Sequence, residues 1–206
     1  MLKSTQIRAV VISLITSTTL LGIGTFTPNS STNLVAVAQT KQLRPTRLTA
    51  KEISQVKRAI PGQKPILDQA FRVNLPDFGN CVFVPLKQFS PQTKRNRLVI
   101  YLVRNDRVVY TFTQSSQVQP WNLVALKAVS FLELDFDGPD EDGILVISHY
   151  TTPTATSRTF PVTTLYHREK NGFIVYEDIS KKLTARRVKT IAEAEDILRD
   201  EFQFLP

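Results

Sequence analysis

The chain has 206 residues, a length that allows one globular domain with an appendage but not two full domains. Hydrophobic residues make up 42% of the chain and charged residues 21%, which is enough apolar material for a core and excludes a disordered chain. The formal net charge is +8, and the single cysteine, Cys81, excludes an internal disulfide and a cysteine-based zinc site.

The first 38 residues have the pattern of an export signal. Lys3 and Arg8 precede an apolar run at residues 9–26, and the small residues at 36–38 (AVA) predict cleavage before Gln39. Two alternatives are an uncleaved membrane anchor at 9–26 and a core helix. Cleavage and anchoring both place the rest of the chain outside the cytoplasm, so we expect a periplasmic or extracellular protein.

The exported chain stays basic and is expected to meet anionic partners. Removal of residues 1–38 takes away Lys3 and Arg8 and no acidic residue, so the formal net charge falls from +8 to +6. Outside the cytoplasm this charge favours an anionic envelope component or another exported protein as partner, and export excludes nucleic acid. A basic surface that only keeps the protein soluble is the alternative.

A short basic segment at 181–189 concentrates part of this charge. It carries five positive charges in nine residues and no aromatic residue. We interpret it as a solvated loop between helical segments, or else as a contact for anionic wall or membrane material. Membrane contact is expected only through the signal segment or this basic segment.

The exported part begins with a linker and a helix. Residues 39–47 are polar and basic and contain a proline, which predicts a linker, followed by a single globular domain over 48–206. Thr49 and Glu52 have the spacing of a capping box, and apolar residues follow at helical spacing until Pro61 and Gly62 end the pattern.

The middle of the chain has the texture of a β protein, with short apolar runs between turn residues. Asn105-Asp106 and Asn171-Gly172 predict hairpin turns, the latter of type I′. The run at 144–147 does not alternate, which predicts a central strand covered on both faces. Strands are predicted over 70–75, 81–86, 97–104, 107–113, 126–134, 144–150, 160–167 and 173–176.

A second helix is predicted at the end of the chain. Thr190 and Glu193 again have capping-box spacing, and an apolar stripe follows. The stripe consists of Ile191, Ala194, Ile197 and Leu198. The sequence therefore predicts an α+β fold: a mostly antiparallel sheet or small β-sandwich of about seven or eight strands, with a short N-terminal helix and a C-terminal helix.

An acidic turn between two predicted strands is the densest local signal. Glu133, Asp135 and Asp137 precede Gly138 and resemble the first half of a D-x-D-x-D-G calcium loop, with Asp142 as a further oxygen donor. Ile144 occupies the twelfth position, where a calcium loop needs a carboxylate, and strands rather than helices flank the turn. The alternatives are a weak Ca²⁺ site and a solvated acidic turn; no other cofactor is expected.

This turn also carries a resemblance to known exported domains. Residues 129–138 (VSFLELDFDG), then 144–147 and Tyr150, are similar to strand–turn–strand units of FG-GAP-like repeats and of periplasmic proteins related to the I-type lysozyme inhibitors. The resemblance covers about residues 95–180. It implies a non-enzymatic exported β domain and carries no inhibitory loop over to this sequence.

No arrangement of residues predicts catalysis. His149 and His167 have no second ligand at metal spacing, and Cys81 has no nearby histidine, so we expect strand-end histidines and a buried thiol. Ser148 and His149 are adjacent on a strand and point to opposite faces. The predicted function is therefore an exported, non-enzymatic binding or structural protein. The alternatives are an inhibitor of a lysozyme-like hydrolase and, third, an envelope hydrolase.

Overall fold

The computed structural model describes residues 45–134, 141–154 and 158–205. The predicted signal at 1–38, most of the linker, and Asp135 and Asp137 of the acidic turn lie outside the described residues. Within the described ranges, no helix combines the length and the apolar character that a membrane span needs.

The described residues form nine strands in two antiparallel sheets and three helices. Sheet A has the strand order β1-β2-β3-β4-β5 and sheet B the order β6-β7-β8-β9. The predicted α+β fold with antiparallel sheets is therefore confirmed. The strands are β1 Thr46–Arg47, β2 Phe71–Leu75, β3 Gly79–Ser90, β4 Arg95–Arg104, β5 Arg107–Thr111, β6 Asn122–Leu134, β7 Glu141–Thr151, β8 Phe160–Glu169 and β9 Gly172–Val175. The helices are α1 Ala50–Ala59, α2 Glu177–Ala185 and α3 Ile191–Asp200.

Alternation along the strands places the two sheets face to face between helices. On β4, Ile100 and Leu102 join the core between the sheets, whereas Val99 packs with α1 on the outer face. On β7, Ile144 lies in the core between the sheets, and Leu145 packs on the other face with α2 and α3. The layers are thus α1, sheet A, sheet B, and the pair α2 and α3. The strand predicted to be covered on both faces, β7, is confirmed as a central strand of sheet B.

The first helix begins as its sequence predicts. The Thr49 N–H donates to Glu52 Oε2 at 2.7 Å, and the Glu52 N–H donates to Thr49 Oγ1 at 3.3 Å, which completes the capping box. Burial would raise the pKa of Glu52, but the hydrogen bonds from Thr49 and the nearby Arg72 outweigh it and hold this pKa below its ordinary value. The helix anchors on sheet A through fully buried Val56.

The prediction of a solvated loop at 181–189 is wrong for its first half, because α2 extends to Ala185. Tyr176 is the N-cap of α2 and its side chain makes no capping hydrogen bond, so the usual start signal is missing from the sequence. Buried Ile179 and Leu183, four residues apart, hold the helix on sheet B, while the five basic residues of the segment are exposed.

The two hairpin turns have different outcomes. Asn105 and Asp106 form the β4–β5 turn with φ angles of 52° and 62°, as the turn prediction requires. In the β8–β9 hairpin, Glu169 pairs with Gly172, so the turn residues are Lys170 and Asn171. Neither has a positive φ, and the predicted type I′ turn at Asn171-Gly172 is therefore wrong.

Candidate functional site

The structure brings together two of the four predicted calcium ligands. Glu133 on β6 and Asp142 on β7 are directly opposite each other in the register of sheet B. Arg168 Nε lies 3.2 Å from Asp142 Oδ2, and its Nη1 lies 3.7 Å from Asp77 Oδ2. In the described part of the chain no group of three metal-ligating side chains occurs. Since Asp135 and Asp137 lie outside that part, calcium binding stays a prediction.

The histidines and the cysteine lie on separate elements. Cys81 is buried on β3, and burial raises the pKa of its thiol to about 12, so it is protonated at neutral pH. His149 lies near the end of β7, and His167 on β8 faces the ring of Tyr176 at 5.4 Å between centroids. Partial burial and nearby Lys127 lower the pKa of His149 below its ordinary value. These residues do not form one site.

A polar cleft opens at one end of the sandwich, where the β3–β4 turn, the β5–β6 connection and the end of β7 meet. Its volume is about 320 Å³, within the range of small-molecule sites. We call it the basic cleft. Its described lining consists of Ser90, Thr93, Arg95, Asn96, Arg97, Gln114, Val118, Gln119, Trp121 and Tyr150.

The two arginines of the basic cleft are held by neutral partners. Arg95 Nη1 donates to the Pro120 carbonyl at 2.8 Å. Arg97 donates from Nε and Nη2 to Gln88 Oε1 at 3.0 and 2.6 Å, and Gln88 is its cross-strand partner. Neither arginine has a carboxylate within ion-pair distance among the described residues. Their guanidinium groups are therefore oriented while their charge stays uncompensated.

Aromatic rings and amides form the rest of the wall. Half-buried Trp121 packs edge to face on Phe160 with 4.9 Å between ring centroids and lies 6.3 Å from the ring of Tyr150. Burial raises the pKa of Tyr150, so its hydroxyl stays neutral. The Asn96 N–H donates to Asn122 Oδ1 at 2.8 Å, which fixes β4 against the start of β6. The cleft combines a fixed aromatic surface with oriented hydrogen-bonding groups.

The described connections at this end of the sandwich carry basic residues and no acidic residue. We call three stretches the basic end, namely residues 87–97, residues 112–124 and the described residues 152–154 and 158–159 of the β7–β8 connection; these stretches contain no Asp or Glu. Glu177 reaches toward it, but its carboxylate accepts hydrogen bonds from Ser115 Oγ at 2.9 Å and the Ser116 N–H at 2.7 Å. The cations of the basic end are Lys87, Lys94, Arg95, Arg97 and Arg158.

The opposite end of the sandwich has acidic groups in ion pairs. Asp106, at the far end of β4, accepts from Arg58 Nε at 2.9 Å. Arg168 lies between the carboxylates of Asp77 and Asp142. The ten residues of β4 separate the two ends by about 30 Å at the usual rise per strand residue. The cations of the basic end therefore lack carboxylate partners among the described residues, whereas Asp77, Asp106 and Asp142 at the opposite end are in ion pairs with arginines.

Sequence reasoning missed the basic cleft, although one signal was present. Between Asp77 and Glu133 the chain carries seven basic residues and a single acidic one, Asp106. The basic segment at 181–189 is visible in the sequence because its charges are adjacent. The basic end is not, because the fold assembles it from three separated stretches. Only the antiparallel topology brings Arg95 close to Trp121.

Comparison of the chain with models of known protein families, with curated proteins and with solved structures finds no match. The resemblance to exported β domains therefore rests on the residues that carry it, and function has to be argued from the chemistry of the site.

Proposed function

We propose that the protein is an exported, non-enzymatic binding protein whose basic cleft takes an anionic saccharide of the cell envelope. The observation that carries the proposal is the pair of guanidinium groups, Arg95 and Arg97, oriented by neutral acceptors beside Trp121. A guanidinium group binds carboxylate, sulfate or phosphate through paired N–H donors. Because these arginines have no acidic partner in the described chain, a ligand anion displaces no internal ion pair.

The neighbouring groups favour a sugar over a simple inorganic anion. Exposed Gln119 and Thr93 and half-buried Ser90 offer amide and hydroxyl groups that both donate and accept hydrogen bonds. The indole of Trp121 supplies an apolar surface of the kind that packs on the C–H face of a pyranose ring. A cleft of about 320 Å³ has room for one or two sugar units.

The lining of the cleft supports binding over hydrolysis. Glycoside hydrolysis needs two carboxyl groups on either side of the scissile bond, and acyl transfer needs a nucleophile with a general base. The described residues that line the cleft include no carboxylate, imidazole or thiol. The one serine and one threonine of this lining, Ser90 and Thr93, have no base beside them there.

Calorimetric titration of the purified protein with tetragalacturonate, and with neutral maltotetraose of equal length, tests this function. We expect binding of the acidic tetramer only, and a loss of roughly tenfold or more in affinity in the double variant Arg95→Gln/Arg97→Gln. The matched control is Lys57→Gln/Arg107→Gln, which removes two exposed charges outside the basic end. Equal losses in both double variants, or equal binding of both tetramers, would refute a specific anionic site.

A further inference from the structure

An exposed phenylalanine stands out next to the basic cleft. The side chain of Phe89 is 57% exposed, the largest value among the large apolar residues of the described chain, and it lies on β3 just before the β3–β4 turn. Val124, 38% exposed, lies nearby, because Lys87 Nζ donates to the Val124 carbonyl at 3.0 Å. A buried phenyl ring stabilises a fold, whereas an exposed ring does not. An exposed ring of this size therefore suggests a functional role.

The topology leaves this part of the hairpin projecting from the sandwich. Strand β2 pairs with β3 only as far as Phe83, so the last residues of β3 have β4 as their main neighbour. Further back on the same face of β3, Phe83 is fully buried in the core between the sheets. Phe89 continues that apolar face beyond the point where the core ends.

Cations surround the exposed apolar residues. Lys87 and Lys94 flank Phe89 along the hairpin, and Arg95 and Arg97 follow on β4. None of the four has an ion pair with a carboxylate among the described residues. An aromatic ring bordered by uncompensated cations matches the interface of an anionic bilayer, where the ring enters the boundary region and the cations meet phosphate groups.

A lipid surface fits these dimensions better than a protein partner does. A stable protein–protein interface buries about 800 Å² on each side, whereas the exposed apolar groups here are two side chains, Phe89 on the β3–β4 hairpin and Val124 on β6. We propose that the β3–β4 hairpin docks the protein onto an anionic phospholipid membrane, with Phe89 entering the interface. This docking does not depend on saccharide binding in the basic cleft.

A fluorescent probe at position 89 tests the docking locally, whatever residues 1–38 contribute. Phe89→Cys can be labelled selectively with a polarity-sensitive dye, because the thiol of Cys81 is buried and protonated. Val108→Cys on β5, an exposed apolar position away from the basic end, carries the same dye as the matched control. The labelled proteins are mixed with vesicles of phosphatidylcholine alone, or with vesicles in which about a third of the lipid is phosphatidylglycerol.

We expect a blue shift of the dye at position 89 with the anionic vesicles only, and no shift at position 108. In the labelled Phe89→Cys protein, the further changes Lys87→Gln and Lys94→Gln should weaken vesicle binding roughly tenfold or more. The control changes Lys57→Gln and Arg107→Gln should leave vesicle binding within about twofold. No shift at position 89, an equal shift with neutral vesicles, or an equal shift at position 108 would overturn the proposal.

Tetragalacturonate binding is measured separately on Phe89→Ser. This variant removes the membrane contact and leaves the arginines in place, so failure of one proposal is distinguishable from failure of the other.

Discussion

At the scale of single residues, the hydroxyl of Tyr110 joins the two sheets along one edge of the sandwich. It donates to the Phe173 carbonyl and accepts from the Phe173 N–H, both at 2.8 Å. These are the main-chain groups on the open edge of β9, so the tyrosine on β5 satisfies an edge that would otherwise face solvent. A Cβ atom on Gly172 would lie 2.6 Å from the ring and hydroxyl of Tyr110.

Glycine is therefore required at position 172 because the ring of Tyr110 lies so close to its backbone, and not because the backbone is left-handed. We expect Gly172→Ala to lower the free energy of unfolding by roughly 1–3 kcal/mol through the clash with the tyrosine ring. In a Tyr110→Leu background the same change should be nearly neutral, since its backbone φ is not positive and alanine adopts it. Chemical denaturation of the four proteins of this cycle gives the coupling. An unchanged cost of Gly172→Ala in both backgrounds would contradict the contact.

His149 makes stability depend on pH. Its pKa in the folded protein is lowered, first by burial and then by Lys127, below the ordinary value of 6.5. The unfolded chain therefore binds a proton at a higher pH than the folded chain does, and stability is lost as pH falls from about 7 toward the lowered pKa. We expect His149→Gln to reduce this loss in denaturant unfolding measured between about pH 7 and 5.

The second histidine provides the control for that measurement. His167→Gln is measured in parallel as the matched replacement of a histidine by glutamine. If His167→Gln removes the slope and His149→Gln leaves it, the assignment is wrong.

At the scale of elements, α3 shows how a sequence pattern and packing can differ. Thr190 Oγ1 accepts from the Glu193 N–H at 3.2 Å, as predicted, but Glu193 Oε2 accepts from the Lys189 N–H at 2.8 Å and not from the N-cap residue. In the apolar stripe, Ala194 and Leu198 are fully buried, while Ile191 and Ile197 are half-buried. The helix therefore contacts sheet B along a narrower stripe than the sequence suggests.

Truncation at two neighbouring positions of α3 tests this orientation. We expect Leu198→Ala to lower the free energy of unfolding by about 2–5 kcal/mol, since a fully buried leucine leaves a cavity. Ile197→Ala should cost clearly less, because its side chain already contacts solvent. Equal costs in urea denaturation would mean that the helix is rotated relative to the sheet.

The elements that the sequence predicted have strong local signals, and those it missed do not. The capping box at Thr49, the alternating runs and the Asn105-Asp106 turn are each defined within a few residues. Helix α2 has no capping side chain, and its apolar contacts are only Ile179 and Leu183 among charged residues. Packing on sheet B decides its structure, and that information lies far away in the sequence.

The acidic turn, which the sequence predicted, and the basic cleft, which it missed, differ in the same way. The acidic turn is local in sequence, so the pattern is visible, although Asp142 is in fact occupied by Arg168. The basic cleft depends on the β3–β4 turn, the β5–β6 connection and the end of β7, which only the sheet topology brings together. Predicting it would have required the strand register as well as the strand positions.

At the scale of the whole molecule, the charge is divided along the strands. The basic end has five cations and no carboxylate in its three connecting stretches, while carboxylates at the other end meet arginines. A field of this kind attracts anionic ligands to one end and raises their rate of association at low salt. The aromatic rings of the cleft and the oriented arginines lie at the end where the positive charge is uncompensated.

The central claim, that the basic end is where an anionic ligand binds, is tested most directly by NMR. Amide shifts of the ¹⁵N-labelled protein are followed while tetragalacturonate is added. We predict that the largest changes fall in the basic end, at residues 87–97, 112–124, 152–154 and 158–159, together with the indole N–H of Trp121, and that they decrease as salt is raised. Changes confined to the opposite end or to residues 181–189, or no change at any concentration, would contradict the account.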